Sequence, residues 1–266
     1  MTDFIFNNEG AWRLNIFIIL FAIMFLWETF LPRRKSSSVT PSRRINNLGI
    51  MLIYTLIIRF TIPLLPVGAA VYATQHSWGL FNLIELPSIL AIIFAIVILD
   101  LIIYLQHRIF HEVPLFWKLH RMHHTDVEID VTTGIRFHPI EIILSLLIKI
   151  VLVILLGAPA IAVLIFEIML SSCSVFNHSN VRIPQKVDRV LRWFIVTPDV
   201  HRVHHSVIRT ETDSNFGFSV TWWDRIFGTY CAQPKAGHLG MDIGIEEFRE
   251  KTDSRVDQLL IQPFKS

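Results

Sequence analysis

The sequence has few cysteines, few charges and none of the short motifs typical of nucleotide, haem or protease sites. Its two cysteines, Cys173 and Cys231, form no CxxC pair, so they indicate no disulfide framework. The formal net charge is +2 over 266 residues, so there is no basic field to argue for a nucleic-acid partner. His111 and Glu112 begin an HExxH-like segment, but no second histidine follows, which argues against a zinc protease. No GxGxxG fingerprint is present, so the sequence gives no signal for a dinucleotide-binding site.

Apolar residues, by contrast, make up 52% of the chain. Several apolar stretches have about the length that a helix needs to cross a ~30 Å hydrocarbon layer. These stretches are Leu14–Leu31, Leu48–Tyr72, Pro87–Leu105, Ile140–Leu156 and Ala160–Phe176. Pro63 and Pro66 predict a kinked or broken helix in the second stretch, and residues 157–159 predict a turn between the last two. The sequence therefore predicts an all-α integral membrane helical bundle of about four to five spans, with a cytosolic helical cap after residue 180.

The distribution of basic residues predicts the orientation of this bundle. Five cations lie in the segment Arg33–Arg44, whereas residues 73–87 contain neither Lys nor Arg. Segments rich in Lys and Arg beside membrane helices usually remain in the cytoplasm. With alternating spans, the clustered histidines then fall on the cytoplasmic side. We find no cleavable signal sequence and no long N-terminal extension, so we expect a multi-pass protein of a bacterial inner membrane.

Histidines are concentrated in three short segments, HRIFH, HRMHH and HRVHH. Positions i, i+3 and i+4 of a helix share one face, so each segment can direct its imidazoles toward one point. Thr197 and Pro198 predict the start of a helix just before the third segment. The candidate metal ligands are His107, His111, His120, His123, His124, His201, His204 and His205.

The number and type of these donors favour a site for two redox metal ions. Eight imidazoles are too many for one ion. Imidazole suits iron, copper, zinc and nickel, and a hydrolytic site with two zinc ions normally adds bridging carboxylates, so we expect iron. His138 and Asp100 are candidates for an additional ligand or for a group that supports a ligand. His76 and His238 are expected to be ordinary surface or interface residues.

The same segments resemble the histidine boxes of the fatty acid hydroxylase superfamily, also called the sterol desaturase family. The resemblance runs from about Asp100 to Tyr230 and includes FNHSNVRIP and NFGFSVTWWDRIFGTY. It implies a membrane-bound, O₂-dependent enzyme with two non-haem iron ions, for which zinc can substitute in recombinant protein. It also implies an external electron donor, a reductase with a ferredoxin or cytochrome b5-type carrier. By position in FNHSN, the resemblance adds His178 as a ninth ligand.

On this basis we expect an enzyme that hydroxylates or desaturates a C–H bond of a lipid such as a sterol, a fatty acyl chain or a carotenoid. One alternative within the family is an alkylglycerol ether monooxygenase. An alternative of another class is a histidine-rich membrane metal transporter or sensor, although its ligands would be expected at mid-span. Residues 1–95 are predicted to form a transmembrane region, 96–235 the catalytic domain and 236–266 a cytosolic tail.

Overall fold

The computed structural model describes residues 8–36, 40–84 and 86–265. Residues 1–7 of the predicted N-terminal region and residues 37–39 of the basic segment lie outside the described part of the chain. In the described part, regular secondary structure consists of helices, with two isolated β-bridges. The all-α prediction is confirmed.

Five apolar helical segments are long enough to cross a membrane, so the protein is an integral membrane protein. Their helices are α1 Glu9–Phe30, α2 Thr40–Thr61 with α3 Pro66–Gln75, α5 Ser88–Glu112, α7 Pro139–Leu156 and α8 Ala160–His178. The second span is interrupted between α2 and α3, next to Pro63 and Pro66, as the proline positions predict. The short helix α4, Leu80–Leu83, precedes the third span.

Helix α5 extends beyond the predicted third span and ends at Glu112. It therefore carries His107 and His111 out of the apolar region on the same rigid element. Pro114 then occupies the first turn of α6, Pro114–His124, where the missing N–H of proline costs no helical hydrogen bond. The first two histidine segments thus lie on consecutive helices joined at Val113.

The turn between α7 and α8 depends on Gly157. Its φ is +62°, in the left-handed region, and a Cβ there would lie 2.5 Å from the carbonyl oxygen of Trp78. Glycine satisfies both constraints at this helix end. Beyond the turn, Ala158 and Ala162 pack with Ala95 in the main apolar core, where small residues let membrane helices approach closely.

Polar residues after the last span form short helices around the histidine end of the bundle. These are α9 Gln185–Leu191, α10 Pro198–His204, α11 Arg209–Thr212, α12 Trp222–Ile226, α13 Gly237–Gly240 and α14 Val256–Ile261. Three 3₁₀ turns, at Thr133–Ile135, Lys251–Ser254 and Gln262–Phe264, complete the described helical elements.

A buried ionic network connects the start of α2 to the loop between α6 and α7. Arg43 is 1% exposed and donates to the carboxylates of Asp126 and Asp130. Arg44 donates to Asp130 and Glu28 at 2.8 Å each. Two arginines of the basic segment therefore form ion pairs that connect α1, α2 and this loop at the histidine end.

The C-terminal residues pack against the second histidine helix. Arg121 donates to the carbonyl oxygens of Gln262 at 2.8 Å and Lys265 at 2.5 Å. Thr125 donates to the side chain of Gln262 at 3.1 Å. The division into three regions stays a prediction, and the predicted tail has buried contacts with α6.

Candidate metal centre

Four helices direct histidine side chains into one buried volume at the end of the bundle. Helix α5 contributes two histidines, α6 three, α8 one, and α10 with its C-cap residue three. All are between 0% and 7% exposed, and they are His107, His111, His120, His123, His124, His178, His201, His204 and His205. The start of α10 is determined by its local sequence. The side chain of Thr197 caps this helix by accepting from Val200 N at 3.4 Å, and Pro198 occupies the first helical position.

The nine imidazoles fall into two groups, each with ligand nitrogens within 4.8 Å of one another. The first group contains His107, His111, His120, His124 and His204, and the second contains His123, His178, His201 and His205. Each of the two triplets contributes to both groups. Both groups have the composition and geometry to hold a metal ion.

For six of these rings, an oxygen acceptor fixes which nitrogen carries the proton. Their Nδ1–H groups donate to Phe216 O (2.8 Å, His107), Asp213 Oδ1 (3.1 Å, His111), Glu141 Oε1 (2.7 Å, His120), Arg136 O (3.0 Å, His123), Ser174 O (2.8 Å, His178) and Ser214 O (2.8 Å, His204). A carbonyl or carboxylate oxygen can only accept, so the neutral ring keeps its lone pair on Nε2. Metal-binding histidines are oriented in this way.

Several Nε2 atoms of the cluster lie close together in pairs that have no proton to share. Nε2 of His107 lies 3.1 Å from Nε2 of His120, and the same distance separates Nε2 of His123 and His178. In both pairs the Nδ1 proton is already committed to oxygen, so two lone pairs face each other. The Nε2 atom of His204 is buried without a hydrogen-bond partner in the described chain. A bound cation satisfies all these atoms, so the residues fit a metal centre.

The environment keeps four of these imidazoles neutral. Burial, together with the surrounding imidazoles, lowers the pKa of His204 to about 3 despite the opposing hydrogen bond to Ser214. Burial and neighbouring histidines also hold the pKa of His124, His201 and His205 well below the ordinary value. Neutral imidazole is the form that binds metal, so these four donors are available at pH 7.

The two further candidates from the sequence lie outside both groups. His138 caps α7: its Nδ1 accepts from Ile140 N, and its Nε2 contacts Leu260 O, both at 3.2 Å. Asp100 accepts from the indole N–H of Trp223 at 2.8 Å. Asp100 therefore joins α5 to α12 rather than orienting a histidine of the cluster.

The two histidines expected to be ordinary residues also lie outside both groups. His76 is exposed and stacks on Tyr72 with ring centroids 4.1 Å apart. His238 is 6% exposed and lies 3.6 Å from Asp199, so it is more buried than a surface residue.

Sequence reasoning left Glu141 without a role and did not identify Asp213. Both carboxylates accept from imidazoles of the first group. An acidic residue in an apolar span is a signal for function, and Glu141 carries that signal. Asp213 lies in a polar segment, where nothing distinguishes it from a surface acid until the chain has folded.

A cavity of about 340 Å³ opens beside the cluster. The cluster contributes His107, His120, His123 and His201 to its wall, and apolar side chains such as Ile103, Phe110, Leu146 and Phe218 contribute much of the rest. The ring of Phe137 also lines it and stacks on His123 with centroids 4.5 Å apart and planes at 8°. The size and lining are those of a site for an alkyl or other apolar ligand.

Comparisons with known proteins agree with this geometry. The fatty acid hydroxylase family matches residues 92–229. The chain is 25% identical over 247 residues to an ornithine lipid hydroxylase of Rhizobium tropici, covering 88% of this chain and 71% of that protein. It is 27% identical over 188 residues to an alkylglycerol monooxygenase of Xenopus tropicalis, covering 68% of this chain and 40% of that protein. A methylsterol monooxygenase of Arabidopsis thaliana is 27% identical over 169 residues, 62% of this chain and 63% of that protein. No solved structure matches the chain.

Proposed function

The chain belongs to the fatty acid hydroxylase family, and from this premise we propose that it uses two iron ions to oxidise a C–H bond of a membrane lipid. One observation carries the proposal: imidazole Nε2 lone pairs face each other inside two buried groups of histidines, next to a cavity with many apolar side chains. The nine histidines of the cluster are the proposed ligands. His138 and Asp100 are proposed to have structural roles instead, because their polar atoms contact other parts of the fold.

Iron is proposed over other metals because of the donors and of the family. Each group consists of imidazoles, without a carboxylate among its members. Imidazole binds iron, copper and zinc, and the relatives named as monooxygenases and hydroxylases carry out oxidations, which zinc does not support by itself. When bound, iron supplies the activation of O₂ and the oxidation of the C–H bond.

The residues of the chain bind and orient the partners of that chemistry. The carboxylate of Glu141 holds the Nδ1 proton of His120, and the carbonyl of Phe216 holds that of His107, so both rings present Nε2 inward. Ile103, Phe110 and Leu146 give the cavity an apolar wall that accepts an alkyl chain and excludes water. Specificity then depends on which carbon the cavity places beside the histidines.

The substrate is proposed to be an amphipathic lipid that enters from the bilayer. The matched relatives act, by their names, on ornithine lipid, alkylglycerol and methylsterol, which share an apolar body with a polar group. Cleavage of an alkylglycerol ether is the alternative outcome within the family. O₂ is the proposed co-substrate, and a reductase with a ferredoxin or cytochrome b5-type carrier is the proposed electron donor.

We propose that the histidine end faces the cytoplasm of a bacterial inner membrane. Arg33 lies at this end and pairs with Asp199 of α10, and Arg43 and Arg44 pair with acidic residues of the loop between α6 and α7. Basic residues at one end of a bundle favour its retention in the cytoplasm. Residues 96–235 are proposed as the catalytic domain, since they contain the whole cluster.

Elemental analysis of the purified protein tests the metal proposal. Protein from iron-supplemented cells is expected to contain about two iron ions per chain, one for each histidine group. His204→Ala is expected to lower that content. His138→Ala is the matched control, a buried histidine outside both groups, and is expected to keep the wild-type content. Wild-type protein that binds no metal, even after anaerobic incubation with ferrous iron, would refute the proposal.

Consumption of O₂ with an alkyl lipid and a reducing system tests the reaction itself. A lipid product that gains one oxygen atom from labelled O₂ identifies hydroxylation, whereas an aldehyde released from an alkylglycerol identifies ether cleavage. A protein that instead moves iron across vesicle membranes without oxidising lipid would be a transporter.

A further inference from the structure

The apolar bundle contains a group of three charged side chains that the metal centre does not use. Lys149 on α7 donates to one oxygen of the Glu167 carboxylate on α8. Arg13 on α1 donates to the other oxygen at 2.8 Å. Glu167 is the only charged residue of α8, and its side chain is 7% exposed. Charges within spans are costly and generally serve a function.

This charged group lines the same cavity as the metal-centre histidines. Glu141, which contacts His120, precedes Lys149 by eight residues on α7, a distance of about 12 Å along the helix axis. Glu167 precedes His178 by eleven residues on α8, or about 16 Å. Lys149 and Glu167 therefore lie roughly 12–16 Å from the level of the histidines, measured along their helices.

Two rows of polar residues connect these levels. On α7, Ser145 lies one turn from both Glu141 and Lys149, and on α8 Ser171 and Ser174 follow Glu167 on the same face. All of these side chains line the cavity, together with apolar residues. The buried Oε1 atom of Gln106, another lining residue, has no hydrogen-bond partner in the described chain. The cavity wall thus combines apolar side chains with polar residues of two helices.

Among the residues that line the charged end of the cavity, two cations face one carboxylate. Arg13 also pairs at 3.4 Å with Glu9, which does not line the cavity. An ammonium group has three N–H donors, and the described contacts of Lys149 use one of them. An oxygen anion placed here would receive charge-assisted hydrogen bonds in a medium where water is scarce.

We propose that Lys149 and Arg13, positioned by Glu167, form a subsite for the carboxylate or phosphate of an amphipathic lipid. The alkyl part of this lipid runs along the cavity toward the histidine cluster. The proposal rests on the proposed function, because it assumes that a C–H bond is oxidised at the histidine end of the cavity. The cavity then fixes the distance between the bound anion and the carbon that is oxidised. Substrates are therefore selected by how far their anionic group lies from the reacting carbon.

Ligand binding without turnover tests this subsite. The protein as purified, in the uncharged detergent dodecyl maltoside and without a reductant, is titrated with radiolabelled palmitate, hexadecyl phosphate and hexadecanol in a scintillation proximity assay. In the wild type, at least one anionic ligand is expected to bind more tightly than the alcohol. The comparison of palmitate with hexadecyl phosphate identifies which anion the subsite takes.

Two substitutions that break the same ion pair have different expected effects on anion binding. Lys149→Met removes a cation and is expected to weaken binding of the preferred anion by about tenfold or more, with hexadecanol unchanged. Glu167→Gln removes the competing carboxylate and is expected to maintain or strengthen anion binding. Lys149→Arg keeps the cation and is expected to bind the anion within a few-fold of the wild type.

A purely structural ion pair gives a different pattern. Both Lys149→Met and Glu167→Gln would then weaken all ligands alike, and that result would overturn the proposal. Equal binding of hexadecanol and both anions by the wild type would also overturn it. Because the assay measures binding and needs no turnover, failure of the iron proposal leaves these results interpretable, and failure here leaves the metal analysis unaffected.

Discussion

Replacement of Glu141 by glutamine tests whether the carboxylate that accepts from His120 orients this histidine for metal binding. The Nδ1 of His120 lies 2.7 Å from Glu141 Oε1, and the two side chains are 4% and 6% exposed. An ionised acceptor makes this hydrogen bond stronger than an amide would, by about twofold for charge-assisted bonds in general. The amide can also rotate and present its NH₂ group, which would favour the wrong tautomer of the ring. Glu141→Gln therefore weakens the hold on a ring whose Nε2 faces that of His107.

The expected magnitude follows from the position of the residue. Substitution of a group that orients a metal-binding histidine typically lowers metal affinity by about 10- to 100-fold, or roughly 1.4–2.7 kcal/mol. Competition of the protein against a chromogenic ferrous chelator under anaerobic conditions measures this affinity. In the variant, the ion of the first group is expected to be lost more readily than the ion of the second group, because His120 belongs to the first group alone.

Glu167→Gln is the matched control for this measurement. It is the same substitution, in the wall of the same cavity, but Glu167 contacts Lys149 and Arg13 rather than a histidine. Its metal affinity is expected to equal that of the wild type. Wild-type affinity in Glu141→Gln, or an equal loss in both variants, would refute the assignment of Glu141 as a residue that positions His120.

Three further predictions concern stability. Arg43→Met leaves the buried carboxylates of Asp126 and Asp130 without their shared cation, and is expected to cost about 3–5 kcal/mol of unfolding free energy, seen as a lower melting temperature in detergent. Gly134→Ala places a Cβ 2.5 Å from the carbonyl oxygen of Ser174, which forces backbone movement and is expected to cost about 1–3 kcal/mol in the same assay. Removal of bound metal by a chelator is expected to lower the melting temperature, since a metal present at a hundredfold its Kd contributes about 2.7 kcal/mol.

Each stability prediction has a control in the chain. Arg59→Met removes an exposed cation from α2 and is expected to leave the melting temperature unchanged. Gly10→Ala adds a Cβ with no atom within 4 Å and is expected to be neutral or slightly stabilising. If these controls lose as much stability as the test variants, the explanations from buried charge and steric overlap are wrong. A melting temperature that does not respond to chelation and reloading would contradict metal-linked stability.

The sequence alone was sufficient for features that depend on local periodicity. The apolar stretches, the interruption next to Pro63 and Pro66 and the turn at Gly157 follow from rules that act over a few residues. The helical spacing within HRMHH and HRVHH follows in the same way. These predictions need no knowledge of which helices are neighbours.

Tertiary structure decided how the histidines are shared between the two groups. In the second segment, His120 and His124 belong to the first group and His123 to the second, and in the third segment His204 is separated from His201 and His205. Residues three and four positions apart point in slightly different directions around a helix, so a helix that lies between two centres divides its ligands between them. Which ligand goes where depends on how α5, α6, α8 and α10 cross. The roles of Glu141 and Asp213 depend on the same packing, because their partners lie twenty-one and one hundred and two residues away in the chain.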